Sequence, residues 1–278
     1  MHSSSARKMW LSGFVLTGLF TCMQGFCAAP FVFSNPAPVG LVESNPPPTA
    51  ASPYPSGLTV TGLTGWKVAK ATVTLHELSH TFPSDINMLL VGPQGQSAIL
   101  MSQTGGQNRY SVTNLTLTLD DDATNSLPID TGLSSGTFRP TNGYLALGWP
   151  HFPYDFPAPA PAGNSNSPAL LGTFKNTDPN GVWSLFVVDD STGDTGSIAG
   201  GWSLSVTIGV PLQIVQARTN VVLSWPVVAA NCSLQSAAGL GPNTIWSNVA
   251  TAPITNAGRL VVTNLVSQRS TYFRLIGP

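Results

Sequence analysis

Apolar and polar side chains alternate with a period of two through most of this chain. The alternation is clear from Ala69 to Leu75, from Leu115 to Leu119, from Trp183 to Val187 and from Trp202 to Ile208. A period of two turns successive side chains to opposite faces of a strand, so each segment predicts a strand with one buried face. No window shows the period of an amphipathic helix. The pattern therefore predicts an all-β protein.

One segment departs from the alternation because it is apolar on both faces. Ile86 to Val91 is a nearly continuous apolar run, and it ends at the turn-forming residues Gly92 to Gly95. A short apolar run closed by glycine and proline is typical of a strand buried on both sides. With Ser97 to Met101 beyond the turn, the pattern predicts a β-hairpin.

The first 29 residues have the layout of a secretory signal peptide. Arg7 and Lys8 give a basic start, an apolar run extends from Trp10 to Cys22, and small residues follow at 27–29. The run is too short to span a bilayer comfortably, so we expect export, removal of residues 1–29 and no membrane span afterwards. Cleavage after Cys27, or lipidation at Cys22 or Cys27, are the alternatives. The predicted location is secreted or at the cell surface.

The chain has three cysteines, and two of them lie in this leader. Only Cys232 is left in the predicted mature protein, which predicts that it has no intramolecular disulfide. We expect Cys232 to be a small buried apolar side chain.

Composition narrows the class of protein. Charged residues make up 8% of the chain and the net charge is -1, while 42% of the residues are hydrophobic. That charge excludes the basic surface of a nucleic-acid-binding protein, and that apolar fraction is enough for a packed core.

Proline content and charge divide the chain into segments. Residues 30–56 contain Pro46, Pro47 and Pro48, and they predict an extended spacer. Five basic and twelve acidic residues lie in 30–209, whereas residues 210–278 carry four arginines and no acidic residue. This asymmetry predicts a domain boundary near Gly209. The tail alternates again around Leu223, which predicts a small β-sandwich.

A long loop region lies between residues 120 and 176. It contains the aromatic residues Phe138, Tyr144, Trp149, Phe152, Tyr154 and Phe156. Aromatic burial offsets the entropic cost of ordering a loop, so we expect it to pack on the sheets. An aromatic platform for sugar binding is the alternative.

Catalytic motifs are nearly absent from the sequence. Gly132 to Gly136 has the G-x-S-x-G spacing of a nucleophile elbow around Ser134, but that motif needs a strand before it and a helix after it. Its flanks are predicted to be loop. His151 follows with no acidic residue between, so we predict no catalytic residue.

Aspartates are the more informative polar group, because they cluster where predicted strands start or end. The six candidates are Asp85, Asp121, Asp122, Asp189, Asp190 and Asp194. Strand-end loops that meet at one rim can supply the six to eight oxygen ligands of Ca²⁺. Alternatively, these aspartates cap turns by accepting backbone N–H bonds. The sequence leaves both hypotheses open, with Ca²⁺ as the one cofactor considered.

Several spaced motifs resemble the P domain (P/Homo B domain) of proprotein convertases and bacterial subtilisin-like serine proteases. They are the segments 79–95, 119–123, 179–190, 193–198 and 201–204, and the resemblance covers roughly residues 52 to 208. It implies a jelly-roll β-sandwich over 57–209 that stabilises and regulates a protease domain N-terminal to it, often with calcium. Only the leader and the spacer precede the match, so we do not transfer the family's endopeptidase activity to any residue here.

The tail resembles the small fibronectin-type-III-like modules at the C-termini of exported bacterial proteins. The matching segments are 219–226 and 272–275, within a module predicted to span 210–278. We therefore expect a non-catalytic exported protein that binds a polypeptide, such as a protease, with calcium for rigidity. The alternative is a carbohydrate-binding or adhesion protein.

Overall fold

The computed structural model describes residues 22–23, 30–42, 46–106, 110–146, 156–161, 167–218, 220–241, 243–265 and 271–276. The regular structure in these residues is almost entirely β. The exceptions are one turn of α-helix, α1 (Gly143–Ala146), and 3₁₀ turns at Pro83–Asp85, Leu171–Phe174 and Val227–Ala229. The all-β prediction is confirmed. No helix of the described ranges has the length and apolar character to cross a membrane.

The first part of the chain contains β1 (Cys22–Met23), β2 (Phe31–Asn35), β3 (Val39–Leu41), β4 (Thr49–Ala50), β5 (Ser56–Val60), β6 (Lys67–His80), β7 (Ile86–Val91), β8 (Ser97–Ser102), β9 (Val112–Leu119), β10 (Gly136–Phe138), β11 (Thr141–Asn142), β12 (Gly181–Asp189), β13 (Gly196–Ile198) and β14 (Trp202–Gly209). With the exception of β1, these strands form a sandwich of two sheets.

One sheet of this sandwich has seven strands and the other has six. The seven-stranded sheet runs β10-β9-β6-β13-β3, with β14 also paired to β6 and β2 paired to β14; the six-stranded sheet runs β11-β8-β7-β12-β4, with β5 also paired to β12. Trp183 and Trp202 are fully buried between the sheets. The indole of Trp183 donates to the Pro179 carbonyl and that of Trp202 to Ser56 Oγ. Hydrogen bonds thus satisfy the polar atoms of both rings.

The predicted hairpin is present as β7 and β8, which pair antiparallel. Every residue of β7 is buried, as the apolar run predicts. Its outer face lies under the long loop, where Tyr144 and Phe156 pack with Leu89 and Phe186. The packing role predicted for the loop aromatics is confirmed for these two residues and for Phe138, which packs against the core between the sheets. Trp149, Phe152 and Tyr154 lie outside the described residues.

Residues 30–56 differ from the predicted spacer. Their strands β2, β3 and β4 pair with β14, β13 and β12, and Val39 and Leu41 lie in the core. The prolines flank these short strands instead of interrupting them, because proline is tolerated at strand ends. The segment is therefore an integral part of the sandwich.

The last part of the chain contains β15 (Gln213–Ala217), β16 (Asn220–Pro226), β17 (Ser233–Ala237), β18 (Ser247–Asn248), β19 (Ile254–Asn256), β20 (Arg259–Leu265) and β21 (Tyr272–Ile276). Two four-stranded sheets result, β15-β16-β20-β19 and β1-β21-β17-β18. They enclose a second apolar core around Leu223, Trp225 and Phe273. Trp66 packs against both cores.

Cys232 is disulfide-bonded in the full chain. The chain contains only Cys22 and Cys27 besides it, and both belong to the predicted leader. The absence of an intramolecular disulfide was predicted for the chain after removal of this leader, and for that chain it stays a prediction.

Candidate functional site

The strand ends at one end of the larger sandwich gather four of the six candidate aspartates. Asp189 ends β12 and pairs with Ile86 at the start of β7, while Gly196 of β13 pairs with His80 at the end of β6. The backbone N–H of Asp190 donates to the Asp85 carbonyl, at 3.0 Å. We call Asp85, Asp189, Asp190 and Asp194 the acidic cluster.

His80 is the basic partner of the acidic cluster. Its Nε2 lies 3.1 Å from Asp189 Oδ2, and both side chains are buried. Its Nδ1 accepts the backbone N–H of Phe82 at 3.1 Å, so the proton of the neutral ring lies on Nε2 and is donated to Asp189. A Cβ at Gly196 would collide with the His80 ring and the Ser79 carbonyl. Only glycine fits against this pair.

Asp190 is held by neutral donors. Its Oδ2 accepts hydrogen bonds from Asn87 Nδ2 (2.9 Å), Tyr144 Oη (2.9 Å) and Gln103 Nε2 (3.3 Å). Burial raises the pKa of Asp190, against these three hydrogen bonds, which lower it. Three side chains therefore compensate in part for the desolvation of this carboxylate.

Asp194 accepts a shorter hydrogen bond, also from a neutral side chain. Thr81 Oγ1 donates to Asp194 Oδ1 at 2.7 Å, and the Asp194 side chain is buried. The backbone N–H of Thr195 in turn donates to Thr81 Oγ1, at 3.0 Å. This exchange fixes the loop between β12 and β13 against the end of β6.

Asp85 has the least compensated carboxylate of the acidic cluster. Its residue is 6% exposed, and Oδ2 is buried with no hydrogen-bond partner. Burial, together with the charges of Asp190, Asp189 and Asp194, raises the pKa of Asp85 from 3.8 to about 7, although His80 lowers it. A buried carboxylate without a partner destabilises the folded state. Binding a proton or a cation at this oxygen would relieve that cost.

Asp121 and Asp122 lie at the opposite end of β6 from the acidic cluster. Asp121 accepts the backbone N–H groups of Leu171 and Gly172, at 2.9 and 2.6 Å. Asp122 Oδ2 lies 2.6 Å from Lys70 Nζ. Lys70 and His80 are ten residues apart on one strand, which is about 30 Å at the usual rise. The structure thus separates these two aspartates from the other four.

Some of the six aspartates support the turn-capping hypothesis and others support the calcium hypothesis. Asp121 caps a turn, and Asp189 accepts the backbone N–H of Ser191 at 3.0 Å. Asp85 instead has an orphaned oxygen beside three further carboxylates, which suits a hard cation. Within the described residues, no three His, Cys, Asp or Glu side chains are arranged to hold a metal ion. The acidic cluster therefore supplies donors and charge but not a formed ligand shell.

Sequence reasoning missed the neutral side chains around the acidic cluster. Asn87 donates to Asp190 and accepts from Ser102 Oγ at 2.7 Å, and Gln103 also donates to Tyr144 Oη. A signal for Asn87 was present, because it is the one polar residue in the apolar run from Ile86 to Val91. Gln103 and Tyr144 have no comparable signal.

The nucleophile-elbow motif has no hydrolase geometry. Ser134 is exposed in a loop that leads into β10, so a loop precedes it and a strand follows it. A second serine does meet a histidine, since His76 Nε2 lies 2.9 Å from Ser203 Oγ on the outer face of the seven-stranded sheet. Among the described residues, the structure gives His76 no carboxylate hydrogen bond.

The fold and site define an all-β sandwich protein with a buried acidic cluster at one end. No family model matches the chain, and no curated protein matches it. A solved structure that matches is the crystal structure of the Aeromonas sobria serine protease in complex with its chaperone, at 16% identity. The match covers 65% of this chain and 27% of the other, with a TM-score of 0.27. This chain thus spans about a quarter of the matched one, and the P-domain resemblance stays a prediction.

Proposed function

We propose that this protein is an exported, non-catalytic module that binds an extended polypeptide segment of a partner protein, such as a protease. The observation that carries the proposal is the edge strand β2. Among the described residues β2 pairs with β14 alone, and its Phe31 and Val32 side chains are 40% and 64% exposed.

An exposed apolar edge strand favours a polypeptide partner for two reasons. Its outer edge carries main-chain N–H and C=O groups that a further strand can pair with. Its exposed side chains bury apolar surface when that strand arrives, which adds affinity and specificity. Proteins usually protect such edges with charge or proline, yet Phe31 to Asn35 contains neither.

The non-catalytic part of the proposal rests on the histidines that the structure describes. Both ring nitrogens of His80 are engaged, by Asp189 and by Phe82 N–H, and its side chain is buried. A general base needs a ring nitrogen within hydrogen-bond reach of a nucleophile, and neither nitrogen of His80 has one. His76 Nε2 lies 2.9 Å from Ser203 Oγ, but among the described residues no carboxylate hydrogen-bonds to His76 and orients its ring. We expect no turnover of casein or peptide substrates by the purified protein. Turnover abolished by a serine-directed covalent inhibitor would contradict this.

Charge substitutions on matched edge strands test the polypeptide proposal. Val32→Lys places a charge on the β2 edge, and Val215→Lys makes the same change at a 59% exposed position of β15, the edge strand of another sheet. In pull-downs from the producer's secretome, we expect a polypeptide that wild type and Val215→Lys retain and Val32→Lys loses. Equal retention by all three proteins, with unchanged melting temperatures, would contradict a β2 site.

A row of hydroxyl groups favours a second function, carbohydrate binding. Thr137, Thr118, Thr74, Ser203 and Ser34 are in register across five adjacent strands of the seven-stranded sheet. Neighbouring strands lie about 4.8 Å apart, so a hydroxyl-bearing residue lies at each step. The Thr74 and Thr118 hydroxyls bond to each other at 3.0 Å and the buried Ser203 contacts His76, while Thr137 and Ser34 are exposed. Uncharged hydroxyl groups in a line can hydrogen-bond a neutral polysaccharide.

Isosteric substitutions separate this second function from the first. Thr74→Val removes a hydroxyl from the centre of the row, and Thr59→Val removes an exposed hydroxyl from β5 of the other sheet. If the row binds glycans, Thr74→Val weakens retention on insoluble chitin or cellulose and Thr59→Val does not. No retention of wild type on either polysaccharide, or on a glycan array, would exclude this function.

We propose in addition that the acidic cluster holds calcium. The residues that would hold it are Asp85, Asp189, Asp190 and Asp194, and Asp121 and Asp122 have no part in it because they lie at the other end of β6. The support is the orphaned Oδ2 of Asp85 beside three carboxylates. A bound cation would neutralise the charge there and rigidify the strand ends.

A further inference from the structure

The outward face of the sheet β15-β16-β20-β19 carries a group of apolar side chains. Along β16 and β20, the core residues Leu223 and Val262 alternate with residues that point away from the core. Paired residues on antiparallel strands share a face, so the register extends this outward face to β15 and β19. Its apolar members, which we call the outer apolar face, are Val215, Val222, Val261, Ile254 and Leu265.

The described part of the chain leaves the outer apolar face in water. Val215, Ile254 and Leu265 are 59%, 67% and 76% exposed, and Val222 and Val261 on the two central strands are partly exposed. A contiguous apolar patch of this kind usually marks a site of interaction. The smaller sandwich therefore presents a surface that a partner can cover.

Charge indicates what that partner carries. Arg218 is exposed in the turn at one end of the outer apolar face, and Arg259 lies at the other end, where its Nε donates to Ser224 Oγ at 3.0 Å. Residues 210–278 contain four arginines and no acidic residue. Like charges oppose the stacking of two such faces, whereas an acidic surface is attracted to one.

The larger sandwich of the same protein is acidic. Residues 30–209 contain five basic and twelve acidic residues, which gives them a net charge of -7 against +4 for 210–278. They expose the carboxylates of Glu77 and Asp130 and the apolar side chain of Leu170. Charge and exposed apolar surface thus both match the outer apolar face.

We propose that the outer apolar face binds the larger sandwich of a second copy of this chain, head to tail. Such a contact joins two different surfaces, so each pair leaves one of each free and further copies can add. The inference goes beyond the proposed function, because it uses neither β2 nor the row of hydroxyl groups nor the acidic cluster.

The size of the face limits the strength of this contact. Strands of seven residues and three steps between strands give it dimensions of about 23 Å by about 14 Å. That is about 300 Å², well below the roughly 800 Å² per partner of a stable interface. We therefore expect weak association that depends on concentration.

Sedimentation velocity on the full chain tests the proposal, at protein concentrations from about 10 µM to about 1 mM. In low salt we expect the average mass to rise with concentration without stopping at a dimer, and to fall back in 0.5 M salt because salt screens the charges. A monomer at every concentration overturns the proposal. So does association that stops at a dimer and is not weakened by salt, which would indicate two outer apolar faces stacked on each other.

Two Leu→Glu variants with the same net charge complete the test. Leu265→Glu places a carboxylate on the outer apolar face, and Leu240→Glu makes the same change at a 49% exposed position outside the four-stranded sheet. We expect Leu265→Glu to stay monomeric and Leu240→Glu to associate like wild type. Equal association of the two variants overturns the proposal. The concentration series uses wild type alone, so it stands even if a variant fails to fold.

Discussion

The two ends of β6 carry groups of aspartates that are alike in sequence and unlike in surroundings. At the Lys70 end, Asp120 and Asp122 share one ammonium group at 2.8 and 2.6 Å, and the Asp122 side chain is 77% exposed. At the His80 end, Asp85, Asp189 and Asp194 are buried with one imidazole among them. Hydrogen bonds from neutral side chains take the place of counter-charge there.

The difference shows how burial changes what a carboxylate requires. Water screens the charges of Asp120 and Asp122, so a nearby Lys70 is enough to balance them. Burial lowers the pKa of Lys70, but its hydrogen bonds to Asp120 and Asp122 outweigh that effect and raise it overall. In the acidic cluster water is excluded, and every charge must find a donor, a proton or a cation. Substitutions at the two ends should therefore differ in size, in pH dependence and in response to calcium.

Removal of His80 should have the largest effect. His80→Ala leaves Asp189 buried without its partner, and breaking a buried pair in this way costs about 3–5 kcal/mol. We expect a loss of this size in the free energy of unfolding, measured by urea denaturation with circular dichroism. His76→Ala, on the same strand but partly exposed, is the control and should cost far less. Equal losses of unfolding free energy in the two variants would show that the buried His80–Asp189 pair contributes no more to stability than the partly exposed His76.

Neutralisation of Asp85 should change the pH dependence of stability. Its pKa is raised from 3.8 to about 7, so the folded protein binds a proton more tightly than the unfolded chain. The stability from this group is present below about pH 4 and is lost as pH rises through 7, by about 2–4 kcal/mol.

Asp85→Asn should remove that loss while keeping the shape of the side chain. We expect the variant to be more stable than wild type at pH 8 and similar at pH 4, in unfolding free energies measured across this range. Asp122→Asn, at the exposed end of β6, is the matched control. A pH profile that Asp85→Asn leaves unaltered would contradict an uncompensated charge at Asp85.

Added calcium tests whether the carboxylates of the acidic cluster bind a cation. A ligand that binds the folded state alone stabilises it by about 2.7 kcal/mol at one hundred times its Kd. If the acidic cluster holds calcium, millimolar calcium raises the melting temperature of wild type and of Asp122→Asn, and a chelator reverses the rise. Asp85→Asn should lose most of it. No shift in wild type would contradict calcium binding at the acidic cluster.

Local pattern predicted the strands of the larger sandwich, because alternation is a property of each segment. β6, β7, β12 and β14 all follow the period or the apolar run that the sequence shows. The strands in residues 30–56 were harder to predict, since β3 has three residues, β4 has two, and prolines flank them. Segments of two or three residues are too short to show a period of apolar and polar side chains. They are strands because they pair with strands that are distant in sequence.

The candidate site was predictable in its residue types but not in its grouping. Six aspartates follow or precede strands, and the sequence places all of them at strand ends. Which ends meet depends on the pairing of β6 with β9 and β13, where Val73 lies opposite Leu119 and His80 opposite Gly196. That register separates Asp121 and Asp122 from the acidic cluster. No local pattern specifies it, because it depends on contacts distant in sequence.

The smallest expected effect lies at the exposed end of β6. Lys70→Ala removes the ammonium group from Asp120 and Asp122, but exposed ion pairs contribute about 0–1 kcal/mol because water and salt screen them. We expect a loss within that range in urea denaturation, and a smaller one in 0.5 M salt. Lys175→Ala, beside the same surface and with no ion pair to any described residue, is the control. A loss as large as that of His80→Ala, persisting in high salt, would mean that exposure does not separate the two ends, and that the Lys70 end is held by charge as firmly as the acidic cluster.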